Sequence, residues 1–425
     1  MSETHLSDTS FASLNLAEPL TENLHKAGFT HCTPIQAESL PITLQAKDLA
    51  GQAQTGTGKT MAFLLATYQQ LMTNTAPDNP KGVRALIIAP TRELALQIYN
   101  DAELIGANTG LRTGLAYGGT NYDTQREALA EGVDILIGTP GRLIDFFKQK
   151  FFNLRTTEVF VLDEADRMFD LGFIKDIRFI MRRLPDPEKR LSLLFSATLS
   201  YKVTELAYEH MNNPELVRIE PKQITAKKVV ESVYYPADDE KIPLLISLLQ
   251  TEKPERAIIF INTKRNAEKV QAYLEGNDYV CAVLSGDVPQ KKRQRTLLEF
   301  QEGKLPILIA TDVAARGLHI PAVSHVLNFD LPQDCEDYVH RIGRTARSGA
   351  SGIAISFACE TFAYSLPDIE TYIGHKIPYA AIDPASFPEI KPAKKIVRKK
   401  PTTPHRNNKP RNQNNKPRRK PPAKG

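Results

Sequence analysis

Short apolar runs punctuate the chain, and each is followed by a loop and then a stretch of helical composition. A first series comprises "DLAGQA" (48–53), "ALIIA" (85–89), "DILIG" (134–138), "VFVLD" (159–163) and "LSLLF" (191–195). A second comprises "AIIFI" (257–261), "VCAVL" (280–284), "PILIA" (306–310), "VSHVL" (323–327) and "GIAISF" (352–357). Runs this short and this continuously apolar are strands buried on both faces. Stretches such as "KRNAEKVQAYLEG" (264–276) supply the crossover helices. The pattern predicts an α/β fold of two tandem parallel-sheet domains, 1–219 and 231–378, joined by a polar linker over 220–230. An extension and tail follow over 379–425.

Ligands bind beyond the carboxyl ends of strands in such sheets. The unusual polar clusters fall there: "TGTGKT" after the first run, "PTRELA" (90–95) after the second, "TPGR" (139–142) after the third, "DEAD" (163–166) ending the fourth and "SAT" (196–198) after the fifth. In the second half "NTK" (262–264), "SGD" (285–287) and "TDVAARGLHI" (311–320) hold the same positions. Two sheets with these edges facing one another would enclose a cleft.

Charge adds a second theme. The net charge is +5, yet residues 391–425 hold 14 Lys and Arg and no acid. The rest of the chain has 40 Lys and Arg against 49 Asp and Glu, a net of −9. An acidic body with a basic arm suits a polyanion, with a merely solubilising tail as the alternative. The arm's Pro-, Lys-, Arg- and Asn-rich composition predicts disorder past about Lys391. The polar N-terminus "MSETHLSDTS" and the shortness of every apolar run predict a cytoplasmic protein with no membrane span. Cys32, Cys281, Cys335 and Cys359 form no C-x-x-C pair, so buried or idle thiols are expected.

The chemistry begins at "AQTGTGKT", Ala53 to Thr60. The phosphate-binding loop reads G-x-x-x-x-G-K-[ST], and Ala53 occupies its first glycine position. Gly56 and Gly58 let backbone N–H groups curl around a phosphate at a helix N-terminus. Lys59 reaches the terminal phosphates and Thr60 ligates Mg²⁺. Asp163, ending an apolar strand, is placed near that metal, and Glu164 where it orients an attacking water. The second half has no such loop, so one nucleotide site is expected. It offers instead "YVHRIGRTAR" (338–347), whose Arg344 and Arg347 are three apart and suited to neutralise a γ phosphate from across the cleft. Gln36 is the candidate reader of an adenine edge, since an amide pairs twice with N6 and N7. Taken alone it is more often an ordinary loop amide.

Together these stretches resemble the DEAD-box RNA helicases, built from two RecA-like domains, over nearly the whole chain to about residue 378. The family's phosphate loop reads A-x-T-G-x-G-K-T, so Ala53, Gln54, Thr55, Gly56, Thr57, Gly58, Lys59 and Thr60 match it. The resemblance implies a Q motif over 9–37, with Phe11, seventeen residues before Gly28, stacking near adenine. It implies that Ser196 and Thr198 link hydrolysis to strand separation through Asp166 and His340. It implies RNA contacts at Pro90, Thr91, Arg92, Gly118, Gly119, Thr139, Pro140, Gly141 and Arg142, then at Gly286, Gln290, Arg293 and Thr311. Such small residues, backbone donors and arginines grip phosphates and 2′-hydroxyls and read no bases. One departure stands out: the family's R-G-L-D-I is "RGLHI" here, with His319 where an Asp holds the ribose.

The resemblance implies an RNA-dependent ATPase that unwinds RNA locally, using ATP and Mg²⁺, monomeric when isolated. "VLDEADRMFDLGFIKDIR" and "DLPQDCEDYVHRIGRTAR" are similar to the family's degradosome branch, which implies a role in RNA degradation and docking of the RNase E scaffold on the second domain. Two alternatives stand beside it: an ATP-gated RNA clamp without productive unwinding, and a DNA translocase.

Overall fold

The computed structural model describes residues 6–54, 56–76, 82–119, 122–219, 229–286, 288–312, 323–346 and 351–394. Thr55, His319, Arg347 and the tail from 395 lie outside the described residues, as do 220–228 of the expected linker.

Two wholly parallel sheets organise the chain. The first has seven strands: β1 (Leu49–Gln52), β2 (Ala85–Ile88), β3 (Thr113–Ala116), β4 (Ile135–Gly138), β5 (Val159–Leu162), β6 (Leu191–Ser196) and β7 (Glu215–Arg218), in the order β3-β4-β2-β5-β6-β1-β7. The second has six: β8 (Val229–Tyr234), β9 (Ala257–Phe260), β10 (Cys281–Leu284), β11 (Ile307–Ala310), β12 (His325–Asn328) and β13 (Gly352–Phe357), in the order β10-β11-β9-β12-β13-β8. The ten apolar runs all become strands. The central β2, β4, β5 and β6 are buried at every position, because helices cover both faces. Two apolar cores result in the first domain, gathered around Phe63 and Phe195 on one face and Phe146 and Phe160 on the other.

Three strands went unread, and all are edges. β3 alternates half-buried and buried positions, β7 buries only Val217, and β8 starts at Val229, inside the stretch read as linker. Each buries at most alternate positions, so none writes a continuous apolar run.

The C-terminal extension makes more contacts than its composition suggests. Described chain continues to Lys394 and packs on the second domain, with Ile382, Phe387 and Ile390 against its core. Lys391 N–H donates to Asn277 Oδ1 at 2.9 Å, Asn277 Nδ2 returns a bond to Lys391 O at 3.2 Å, and Lys394 N–H donates to Ala272 O at 2.9 Å. Lys391 and Lys394 also pair with Asp278 and Glu275. Two of the tail's charges are thus held by this strap. Apolar residues spaced among prolines carry no strand or helix period, which is why sequence reading passed over them.

Candidate functional site

The order β5-β6-β1 brings three loops side by side: the DEAD stretch, the SAT stretch and the phosphate loop. Ala53 N–H donates to Ser196 O at 3.1 Å, stitching the phosphate loop to the SAT stretch. Gly58 has φ 92°, and a Cβ there would meet Gln36 Nε2 at 2.4 Å. Glycine is required on both counts. Lys59, 7 % exposed, opens the helix Lys59–Thr73 and turns its ammonium back onto Ala53 O.

Buried carboxylates face that ammonium. Asp163 is 3 % exposed, and burial pushes its carboxyl up to about 7, against the pull of Lys59. Burial also raises Glu164, with Lys59, Arg167 and Arg344 pulling the other way. Glu164 sits at φ 50°, ψ 56°, a left-handed conformation that costs a non-glycine residue on the order of 1 kcal/mol or more. Its Oε2 is buried without a hydrogen-bond partner. Strain and an orphaned oxygen at one residue mark a position shaped for something other than stability.

Asp166 ties the DEAD stretch to the SAT stretch. Its Oδ2 accepts from Ala197 N–H and Thr198 N–H, both at 3.1 Å, and from the Thr198 hydroxyl at 3.3 Å. Its own N–H donates to Ser196 Oγ at 3.2 Å. Asp166, Ser196 and Thr198 are therefore joined by direct bonds. His340 lies in the last turn of the helix Cys335–Ile342, which also carries Glu336. Glu336 bonds the Thr198 side chain across the cleft. Arg344 follows that helix, is 7 % exposed, and is close enough for its charge to bear on Glu164.

A second set of cross-cleft contacts joins the loops assigned to RNA. Arg92 Nη1 donates to Gln290 Oε1 at 3.3 Å, Gln290 Nε2 donates to Glu93 Oε1 at 3.1 Å, and Arg293 pairs with Glu93 at 2.8 Å. Arg92 also lies against Gly118 and Gly119. Thr91 caps the helix Arg92–Ile105, and Thr139 with Pro140 opens the helix Pro140–Lys148. Arg142 lies over the Tyr122 and Phe146 rings at 4.9 and 5.1 Å and donates to Gln125 Oε1. Thr311, nearly buried, follows β11, and Gly286 follows β10.

Two nucleotide candidates are already engaged within the chain. Both ends of the Gln36 amide are engaged within the chain: Oε1 accepts from Thr33 N–H and Nε2 donates to Gly58 O, each at 2.9 Å. One lone pair and one N–H remain for a base. Gln36 thereby ties the Q motif to the phosphate loop, a link that spacing alone cannot reveal. Phe11 is 4 % exposed and packs into the first core, so little of its ring is open.

Sequence reading missed three residues outright. Glu93 lies inside "PTRELA", and Glu336 four residues before His340. Arg341, 2 % exposed, pairs with Asp312 through bonds of 2.7 and 2.6 Å and donates to Asp330 O and Asn262 Oδ1. It fixes the loop after β11 to the helix that carries His340. The signal was the first of three arginines in "YVHRIGRTAR", overshadowed by Arg344.

Comparison with known proteins agrees with this geometry. Residues 33–206 match the DEAD/DEAH box helicase family and residues 240–349 the helicase conserved C-terminal domain. The ATP-dependent RNA helicase RhlB of Shewanella frigidimarina is 58% identical over 406 residues, covering 95% of this chain and 94% of the relative. That of Vibrio cholerae is 57% identical over 403 residues, covering 94% and 92%. Among solved structures, Saccharomyces cerevisiae Dbp5 bound to RNA and ADP BeF3 superposes with a TM-score of 0.77 at 30% identity, covering 88% of this chain and 95% of Dbp5. With both sheets and the loops between them accounted for, the chain belongs to the DEAD-box helicase family.

Proposed function

We infer that the chain is an ATP-dependent RNA helicase with RNA-dependent ATPase activity. The observation that carries this is the meeting of Lys59, Asp163 and Glu164 from one sheet with Arg344 from the other. Relatives more than half identical carry the name ATP-dependent RNA helicase.

The phosphate loop, Ala53 to Thr60, receives the ATP phosphates, and Lys59 exchanges Ala53 O for phosphate oxygens. Gln36 and Phe11 serve the adenine side, and His319 the ribose. Hard oxygen ligands are offered by the Thr60 hydroxyl and the buried Asp163 carboxylate, a donor set that fits Mg²⁺. Such an ion supplies charge neutralisation between phosphate oxygens. Glu164, its Oε2 unspent, positions the attacking water. Arg344 and Arg347 neutralise charge on the γ phosphate. Asp166, Ser196 and Thr198 sense that event and pass it to the loops gripping RNA at Thr91, Arg92, Thr139, Gly141, Arg142, Gln290 and Arg293. The Glu93 pairs lie among those loops, so RNA binding and domain closure are one equilibrium. A strand held bent across both domains cannot stay paired, so base pairs open locally. The protein works as a monomer in the cytoplasm, and its likeness to RhlB supports a place in the RNA degradosome with RNase E as scaffold. Among the described residues no helix is long and apolar enough to cross a membrane. The test is ATP hydrolysis with and without single-stranded RNA: turnover indifferent to RNA would sink the reading.

Closure should be pH-dependent. Glu336 is half-buried across the cleft from Asp166 and Asp170, with Asp334 beside it and Tyr372 nearby, while Arg167 pairs with Asp170. Burial, then these acids, push its carboxyl up to about 7 against the Thr198 bond. A pKa raised on closure means the closed form binds the proton more tightly than the open form. Closure is therefore unpenalised below the usual carboxyl range and grows harder as pH rises towards about 7. Interdomain energy transfer with RNA and a non-hydrolysable ATP analogue should fall across that window and stay flat in Glu336→Gln. Equal slopes in both proteins would remove Glu336 from the closing step.

The tail should add RNA affinity without touching catalysis. Cutting after Lys394 spares the strap and removes 12 positive charges. If four or five of them meet RNA, the slope of log K against log salt should shrink by about three. A slope unchanged by truncation would assign the tail to solubility or to a protein partner.

A further inference from the structure

Arg142 stands in the first turn of the helix Pro140–Lys148, and two elements hold its guanidinium. One is its own helix: Phe146, a turn further on and fully buried, lies 5.1 Å away. The other is the helix Tyr122–Ala130, which comes shortly after Gly118 and Gly119. The Tyr122 ring lies 4.9 Å from the guanidinium, and Gln125 Oε1 accepts from Arg142 Nη1 at 3.3 Å. Tyr122 and Gln125 are three residues apart and share a face of their helix. Both are themselves fixed. The Tyr122 ring packs at a tilt on Phe146, centroids 5.1 Å apart, and Gln125 Oε1 also accepts from Tyr117 N–H at 3.1 Å.

Tyr122 lies outside the loops assigned to ATP and RNA, so its place beside Arg142 asks for a reason. An arginine side chain samples many rotamers, and gripping a phosphate takes that freedom away. Where the side chain is already held, the loss is met on folding and binding gains by the difference. Aromatic rings suit this task. They attract a guanidinium without using its N–H donors, which are what a phosphate needs.

We propose that Tyr122 is a positioning residue for RNA binding: its ring holds the Arg142 guanidinium in place before a backbone phosphate arrives. The proposal rests on Arg142 gripping RNA, as read above. It gives the contact a second consequence. The ring that follows Gly118 and Gly119 holds the arginine that follows Pro140 and Gly141, so two loops that grip the same strand keep a fixed spacing.

The test is a double-mutant cycle on the full chain, reading affinity for a labelled single-stranded RNA with an ATP analogue over a salt series. Tyr122→Leu should weaken binding roughly three- to tenfold with an unchanged salt slope, because the same phosphates are met. Arg142→Ala should weaken it at least as much and shrink the slope by about 0.7, the share of one phosphate on a single strand. Added to Arg142→Ala, Tyr122→Leu should cost nothing further. Tyr122→Phe keeps the ring and should bind like the native chain. Leucine retains apolar bulk against Phe146 and thermal melting checks its folding, with Tyr122→Met to replace it if it does not fold. The basic tail is present in every variant and cancels. Native affinity in Tyr122→Leu, beside a weakened Arg142→Ala, overturns the proposal alone. So does an undiminished loss from Tyr122→Leu in the Arg142→Ala background, which would give Tyr122 its own RNA contact or a merely structural role. A loss in Tyr122→Phe overturns it too, by placing the hydroxyl on RNA. Native affinity and slope in Arg142→Ala would instead remove Arg142 from the RNA grip, and the proposal with it.

Discussion

Glu164→Gln is expected to lower the RNA-stimulated ATPase by about 10²–10⁴-fold while leaving ATP and RNA binding near the native level. The amide keeps the shape of the carboxylate but cannot take a proton from water. Burial already raises the Glu164 carboxyl, moving it towards the range in which a base is useful at neutral pH. Its left-handed backbone and unpartnered Oε2 are properties of position, and glutamine preserves both the N-cap place and the side-chain volume. Measuring RNA affinity with an ATP analogue present separates chemistry from structure. Loss of binding together with turnover would make Glu164 a structural residue.

Arg344→Ala should slow turnover by roughly 10³-fold or more, with nucleotide affinity changing far less. Arg344 comes from the second domain and bears on Glu164 only because the domains meet. In the proposed role it would act in the closed form, where charge develops on the transferred phosphate. The two arginines of "HRIGR", three residues apart, should behave differently. Arg341 is locked by Asp312, Asn262 and Asp330, so Arg341→Ala should lower the melting temperature, whereas Arg344→Ala should not. Turnover of Arg344→Ala within about threefold of native would place it outside the reaction, against the effect expected of such a finger.

Much of this was legible in the chain because two signals were strong. Strands buried on both faces write continuous apolar runs, and all ten runs became strands. Loops that handle phosphate write Gly, Lys, Thr and paired acids at fixed spacing. The remainder was written in weaker terms. The edges β3, β7 and β8 bury one side only. The strap to Lys394 is a few apolar residues among prolines. Contacts between the domains, such as Glu93 with Arg293 and Glu336 with Thr198, join residues far apart in sequence whose pairing depends on how two sheets face each other. Gln36 shows the limit most clearly. Its residue type suggested a base reader, yet the chain also uses it to hold Gly58.

The central claim is that ATP drives this protein to open RNA pairs, and single-turnover unwinding of matched short RNA and DNA duplexes measures it directly. The expected result is RNA strand release that requires ATP and is absent or far slower on DNA. Tight ATP-dependent RNA binding with no strand release would contradict it and leave a clamp. Equal release of DNA would contradict it in favour of a translocase indifferent to the sugar.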